Sequence, residues 1–193
     1  MNGNIEKPVY LTLEQLEVLT AQCTFCELHK GQINPVFARG YAEADILICG
    51  MCPGPDENKI GIPFVGTAGK ILDEILNRAF SLKHKVYITN LVKCFVPAGK
   101  DLDIRWMSRC LPYFIVQLQL IKPKVIIALG KDVCNFLLNK DEQMGSMRGN
   151  AYDYLNTKLI CTYHPSFLAR GGGIQHKDFN KVVKDFSKAL KYV

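Results

Sequence analysis

Asn90 closes the run "KVYITN", His164 opens "HPSFLAR", and Phe64 lies inside "GMCPGPDENKIGIPFVGTAG", residues 50–69. These residue types can do chemistry. An Asn amide presents one acceptor and two donors in a plane, which complements a pyrimidine edge. A His can donate a proton to an oxygen that gains negative charge. Phe64, between Pro63 and Gly66, is either a core aromatic or a flat platform on which a base stacks. Glycine permits close backbone approach and proline fixes a loop's course. The loop has neither the G-x-x-x-x-G-K-[ST] nor the G-x-G-x-x-G spacing, so it is not a phosphate cradle. Asn90 and His164 also have plain structural readings, as a satisfied buried amide and a structural imidazole.

The second chemical group is sulfur. Eight cysteines are many for a chain in a reducing compartment, where metal binding or catalysis is commoner than disulfides. Cys23 and Cys26 form "CTFC", with Cys94 and Cys110 distant and unevenly spaced. Four thiolates suit zinc or an iron–sulfur cluster, and spacing does not separate the two. Cys49 and Cys52 make a second C-x-x-C, but Cys49 reads as a strand residue, and Cys134 and Cys161 read as core.

The elements that must position these groups follow from periodicity. "ADILICG", "KVYITNLV", "KVIIALG" and "KLICTYH" are short branched apolar runs, the pattern of strands buried on both faces. Between them lie helical patterns: "AGKILDEILNRAF", "DIRWMSRCLPYFIVQLQLI" and "KDVCNFLLNK". An amphipathic helix with a Thr12/Gln15 capping box precedes them. A last helix follows, with Phe179, Val182, Val183, Phe186 and Leu190 on its apolar face. The loop "NKDEQMGSMRGN" reads as polar and mobile. The expectation is one domain, residues 1–193, of three-layer α/β/α architecture with a mostly parallel four-stranded central sheet. In such sheets ligands bind beyond the carboxyl ends of the strands, where the Gly/Pro loop, Asn90, Gly130, Lys131 and His164 all fall.

The chain carries a net charge of +6, which permits a polyanionic partner without demanding one. No apolar run is long enough to cross a bilayer, and "MNGNIEKPVYLTLEQLEVL" has no leader pattern, so an intracellular protein without a membrane is expected.

Gly50, Pro53, Gly54, Glu57, Gly61, Pro63, Phe64, Gly66, Ala68 and Gly69 resemble the first motif of the iron–sulfur (family 4) uracil-DNA glycosylases. "HPSFLAR" resembles their second motif, and "YITNLVKC" their segment with the pyrimidine-reading Asn and a cluster cysteine. The resemblance runs in order from about Cys23 to Arg170. It implies a monofunctional, monomeric enzyme that flips uracil, or a uracil-like base, out of DNA and hydrolyses its glycosidic bond. It implies a [4Fe–4S] cluster on Cys23, Cys26, Cys94 and Cys110. The implied pocket is Gly50, Met51, Cys52 and Phe64 with Asn90 and His164, with Glu57 as a further catalytic carboxylate. Ser166, Leu168 and Arg170 are the implied DNA contacts, with Leu168 or a neighbour filling the vacated stack.

One departure stands out. Typical members follow the first motif's opening glycine with an acidic and a small residue; here these are Met51 and Cys52. Methionine cannot activate water. A module that only binds a flipped base, or an enzyme for another modified base, are the competing expectations.

Overall fold

The computed structural model describes residues 11–97 and 103–193. The leader reading of the first ten residues lies outside them. The sheet has six strands in the order β1-β3-β2-β4-β6-β5. The four expected strands form its centre: β2 (Ile46–Gly50), β3 (Val86–Asn90), β4 (Val125–Leu129) and β6 (Thr157–Thr162), all parallel. Two short strands were not anticipated. β1 (Ala38–Gly40) pairs antiparallel with β3, and β5 (Ala151–Tyr154) antiparallel with β6. They cover the edges of the parallel core, which leaves fewer unpaired backbone groups there.

Strand alternation builds two cores. Leu47, Cys49, Ile126, Ala128, Leu159 and Cys161 face one side, where α4 (Ile104–Ile121) and α5 (Lys131–Leu138) pack. Ile46, Ile48, Val125, Ile127 and Ile160 face the other, against α3 (Thr67–Ala79), α7 (Pro165–Arg170) and α8 (Phe179–Ser187). A side chain every second residue on each face is what makes these strands apolar throughout. Each fully buried Ile or Leu contributes about 1.5–3 kcal/mol of transfer free energy.

The first helix, α1 (Leu13–Ala21), has both bonds of its capping box and packs on α4. Inside the Gly/Pro loop lies a six-residue helix, α2 (Pro55–Ile60), with proline at its first turn and Gly61 in the left-handed conformation after it. Those signals start and stop a helix, and the loop reading passed over them. The segment read as mobile contains α6 (Met144–Met147), whose Met144 and Met147 are buried. At the C-terminus Phe179, Val182 and Phe186 are buried as expected, but α8 tightens into a 3₁₀ turn from Lys188 to Lys191. The tighter turn brings Ala189 inward and leaves Leu190 37% exposed. Among the described residues no helix is long and apolar enough to cross a membrane.

β2 connects to β3 on one side, and β3 then crosses to β4 on the other. The strand order therefore reverses beside β2, and a crevice opens at its carboxyl end.

Candidate functional site

The crevice is built on β2 and β3. Gly50 and Asn90 are register partners at their ends. Beyond them the two turns are joined: Leu91 N–H donates to the Gly50 carbonyl (2.9 Å) and Val92 N–H to the Met51 carbonyl (2.8 Å). A Cβ on Gly50 would collide with Asn90 Oδ1 and would come 2.5 Å from Phe64 Cζ. Glycine at position 50 is what lets the amide and the ring meet.

Phe64 has φ +57°, a left-handed conformation that a bulky residue adopts only when its surroundings impose it. Glu57 imposes it. Its Oε1 accepts from the Val65 and Gly66 N–H groups, both at 2.9 Å. Glu57 is buried in the first turn of α2 and is engaged as a clamp on the loop. The structure thus gives this carboxylate the loop-stabilising task that is the alternative to a catalytic one.

Asn90 is buried, and its Oδ1 has no hydrogen-bond partner. An orphaned buried acceptor costs about 1–3 kcal/mol, so such atoms are rare unless a ligand completes them.

His164 follows β6 and caps α7. Ser166 N–H donates to its Nδ1 at 3.1 Å, and Ser166 Oγ lies 2.8 Å from the same atom. The neutral ring therefore carries its proton on Nε2. Its centroid is 5.8 Å from that of Phe64. Gly130, after β4, has φ +95°, and a Cβ there would come within 3.2 Å of His164 Cβ. Crowding by protein atoms, then the positive charge of Arg170, push the imidazole down to about 4, with Glu57 opposing. His164 is thus a neutral donor at pH 7. The sign of the pH effect follows. Below the usual imidazole value of about 6.5 the unfolded chain takes a proton that the folded site refuses, so stability falls as pH drops from there toward 4. Single-turnover activity is expected to stay level from pH 8 to about 5 and fall only as His164 charges near 4. A pH–rate profile with a midpoint near 6.5 would contradict this assignment.

A cavity beside this cluster is lined by Met51, Cys52, Gly130, Lys131, His164 and Arg170, with Asp132, Met144, Tyr163 and Phe167 also on its wall. Sequence reasoning missed Asp132, Met144 and Tyr163, and covered Phe167 only as a neighbour of Leu168; topology brings them in from α5, α6 and the α7 approach. Asp132 had one signal, its place in the first turn after Gly130. Burial pushes the Cys52 thiol up to about 11. Arg170 is exposed at the rim. Ser166 sits behind His164 and fixes its ring. Leu168 is fully buried in the core against α3 and α8, because position 168 lies on the inner face of α7. It does not reach the surface where a wedge would act. Its neighbour Phe167 does line the cavity, stacked on Tyr163 at 4.7 Å between centroids.

Cys23, Cys26, Cys94 and Cys110 line a second, enclosed cavity with Thr20, His29, Lys93 and Tyr113. α4 holds the "CTFC" segment there. Arg109 Nη1 donates to the Phe25 carbonyl (2.5 Å), and Trp106 Nε1 to Glu27 Oε1 (2.7 Å). Burial pushes the Cys94 thiol up to about 12, and the other three thiols add to the shift. Among the described residues no three His, Cys, Asp or Glu side chains stand close enough to grip one metal ion. Four thiols around one enclosed space fit a four-thiolate group. Cys49, Cys134 and Cys161 are fully buried in the core.

Residues 37–187 match the family model described as the uracil DNA glycosylase superfamily. The chain belongs to that superfamily. A type-4 uracil-DNA glycosylase of Thermotoga maritima is 33% identical over 190 residues, covering 96% of this chain and 98% of its own. Those of Pyrobaculum aerophilum and Archaeoglobus fulgidus are 35% and 36% identical, each covering 83% of this chain and 86% of their own. The two segments that resemble the family's motifs are the α2-containing loop and α7, and the carboxyl ends of β2, β3, β4 and β6 bring them together.

Proposed function

We propose that this superfamily member is a monofunctional uracil-DNA glycosylase acting as a monomer in base-excision repair. One observation carries the reading: the buried, unpartnered Oδ1 of Asn90, set beside the Phe64 ring over Gly50. That acceptor suits the N3–H of uracil, and the amide NH₂ suits its O4. Thymine shares this edge, so exclusion of its methyl group falls to the pocket wall, where Met51 and Cys52 stand.

The chemistry follows from the residues. DNA lies against the rim with Arg170 and Lys131 on phosphates, and the target nucleotide is extruded at a cost of a few kcal/mol. The base stacks on Phe64. Backbone N–H groups near Met51 and Cys52 hold a carbonyl oxygen. As the glycosidic bond breaks, its electron pair passes to the base, and His164 Nε2–H donates to the oxygen that gains the charge. The sugar cation left behind is electrophilic enough for water to add without a strong base. Met51 therefore does not exclude hydrolysis, and Glu57 acts by shaping the loop. Phe167 is placed at the wall to fill the vacated stack.

Cys23, Cys26, Cys94 and Cys110 hold a [4Fe–4S] cluster in this reading. Four thiols around one cavity suit zinc or a cluster alike, and the likeness to type-4 enzymes is what favours the cluster. When bound, it ties the N-terminal segment to the turn after β3 and takes no part in cleavage.

The test is a panel of oligonucleotides carrying uracil, thymine, hypoxanthine or an oxidised pyrimidine, given to anaerobically purified protein. Free uracil, an unbroken strand with an abasic site, and about four irons per chain are expected. Release confined to another base would overturn the uracil assignment.

A further inference from the structure

Lys93 is fully buried, and its ammonium uses all three of its protons. It donates to the Asn90 backbone carbonyl (2.6 Å), to Thr89 Oγ1 (2.6 Å) and to Gln117 Oε1 of α4 (2.7 Å). The acceptors are themselves anchored. Thr89 Oγ1 donates to the Phe37 carbonyl (2.7 Å), and Gln117 Nε2 to the Tyr87 hydroxyl (3.0 Å). The Lys93 backbone ties one further segment. Its carbonyl accepts from Val36 N–H (2.8 Å), and the residue lines the cysteine cavity with Cys94 and Cys110. A buried charge is costly, and a lysine-sized apolar side chain would fill the same space without that cost. Nothing in the proposed bond cleavage uses this ammonium.

We infer that Lys93 is a positioning residue whose buried ammonium fixes Asn90 from behind and joins the base-reading amide to the wall of the cysteine cavity. The inference rests on the assignment of Asn90 as the base reader. The Asn90 side chain has no bond of its own to hold Oδ1 in place. Its backbone is instead fixed by the β2 pairing in front and by the ammonium behind. Without the ammonium, the turn from Asn90 to Cys94 loses its side-chain hydrogen bond to α4, and the amide is free to leave the plane of the base.

The experiment uses the iron-loaded protein and compares wild type with Lys93→Met and Gln117→Met. Gln117→Met keeps the lysine and removes one of its three acceptors, on a residue that is neither base reader nor thiol. Three quantities are read: iron per chain, hydrogen exchange of the Asn90–Val92 amides, and the affinity ratio for single strands carrying a non-cleavable fluorinated deoxyuridine or thymidine. Lys93→Met should keep its iron and its affinity for unmodified DNA, speed exchange at Asn90–Val92 about tenfold, and lower the uracil preference about 10- to 100-fold. Gln117→Met should shift exchange and preference in the same direction by less. Wild-type exchange and preference in an iron-loaded Lys93→Met would overturn the inference. If that variant does not fold, unchanged exchange and preference in Gln117→Met would overturn it. A wild type with no uracil preference would sink the functional reading, yet faster exchange in Lys93→Met would still uphold the positioning role.

Discussion

Replacing His164 with Ala is expected to lower the single-turnover rate of uracil release about 10²- to 10³-fold, the usual cost of one preorganised donor to a developing anion. Binding of uracil-containing DNA should change little, because the donor matters most as charge builds on the leaving base. The geometry behind this is specific. Ser166 N–H occupies Nδ1, so the proton sits on Nε2, and burial keeps the ring neutral at working pH. His164→Gln should recover part of the loss, since its amide is also a neutral donor. Equal rates for wild type and His164→Ala would remove the residue from the reaction.

Asn90→Ala is expected to lower kcat/KM for uracil by 10²-fold or more, at the level seen when a site built around a substrate's polar edge loses its partner. Asn90→Asp is the sharper variant. It keeps the shape and the acceptor beside Phe64 but removes both N–H donors, so the fold should survive while uracil release falls. The orphaned Oδ1 makes a second signature available. An apolar replacement no longer buries an unsatisfied acceptor, so a same-sized Asn90→Leu should raise or hold the melting temperature while abolishing release. A protein that loses stability and activity together in all three variants would point to a structural amide.

Much of this was legible in the residues, for a physical reason. The four central strands are buried on both faces, so their apolar runs are unbroken and visible. The two edge strands are not: β1 is three residues long, and β5 alternates between exposed and half-buried positions. Asn90 and His164 could be placed because one ends a strand and the other lies just beyond one. Glu57 reads equally as a catalytic or a loop-stabilising carboxylate from sequence; only the loop folding back, so that two N–H groups meet one oxygen, shows the second task. Leu168 was misplaced because the helical phase of α7 turns it inward. Nothing in the sequence marks Lys93 as buried; the packing of α4 over it shows that. The cysteine set could be grouped, but its spread around one cavity is a property of the fold.

The most direct test is release of free uracil by the iron-loaded protein, in single turnover, from single- and double-stranded oligonucleotides. Wild type would be measured beside Met51→Glu. The site as described predicts release by wild type from at least one of the two substrates, without an acid at position 51. No release by wild type, with release gained by Met51→Glu, would contradict it: the pocket would then hold a flipped base without hydrolysing its bond, and the missing acid would be the cause.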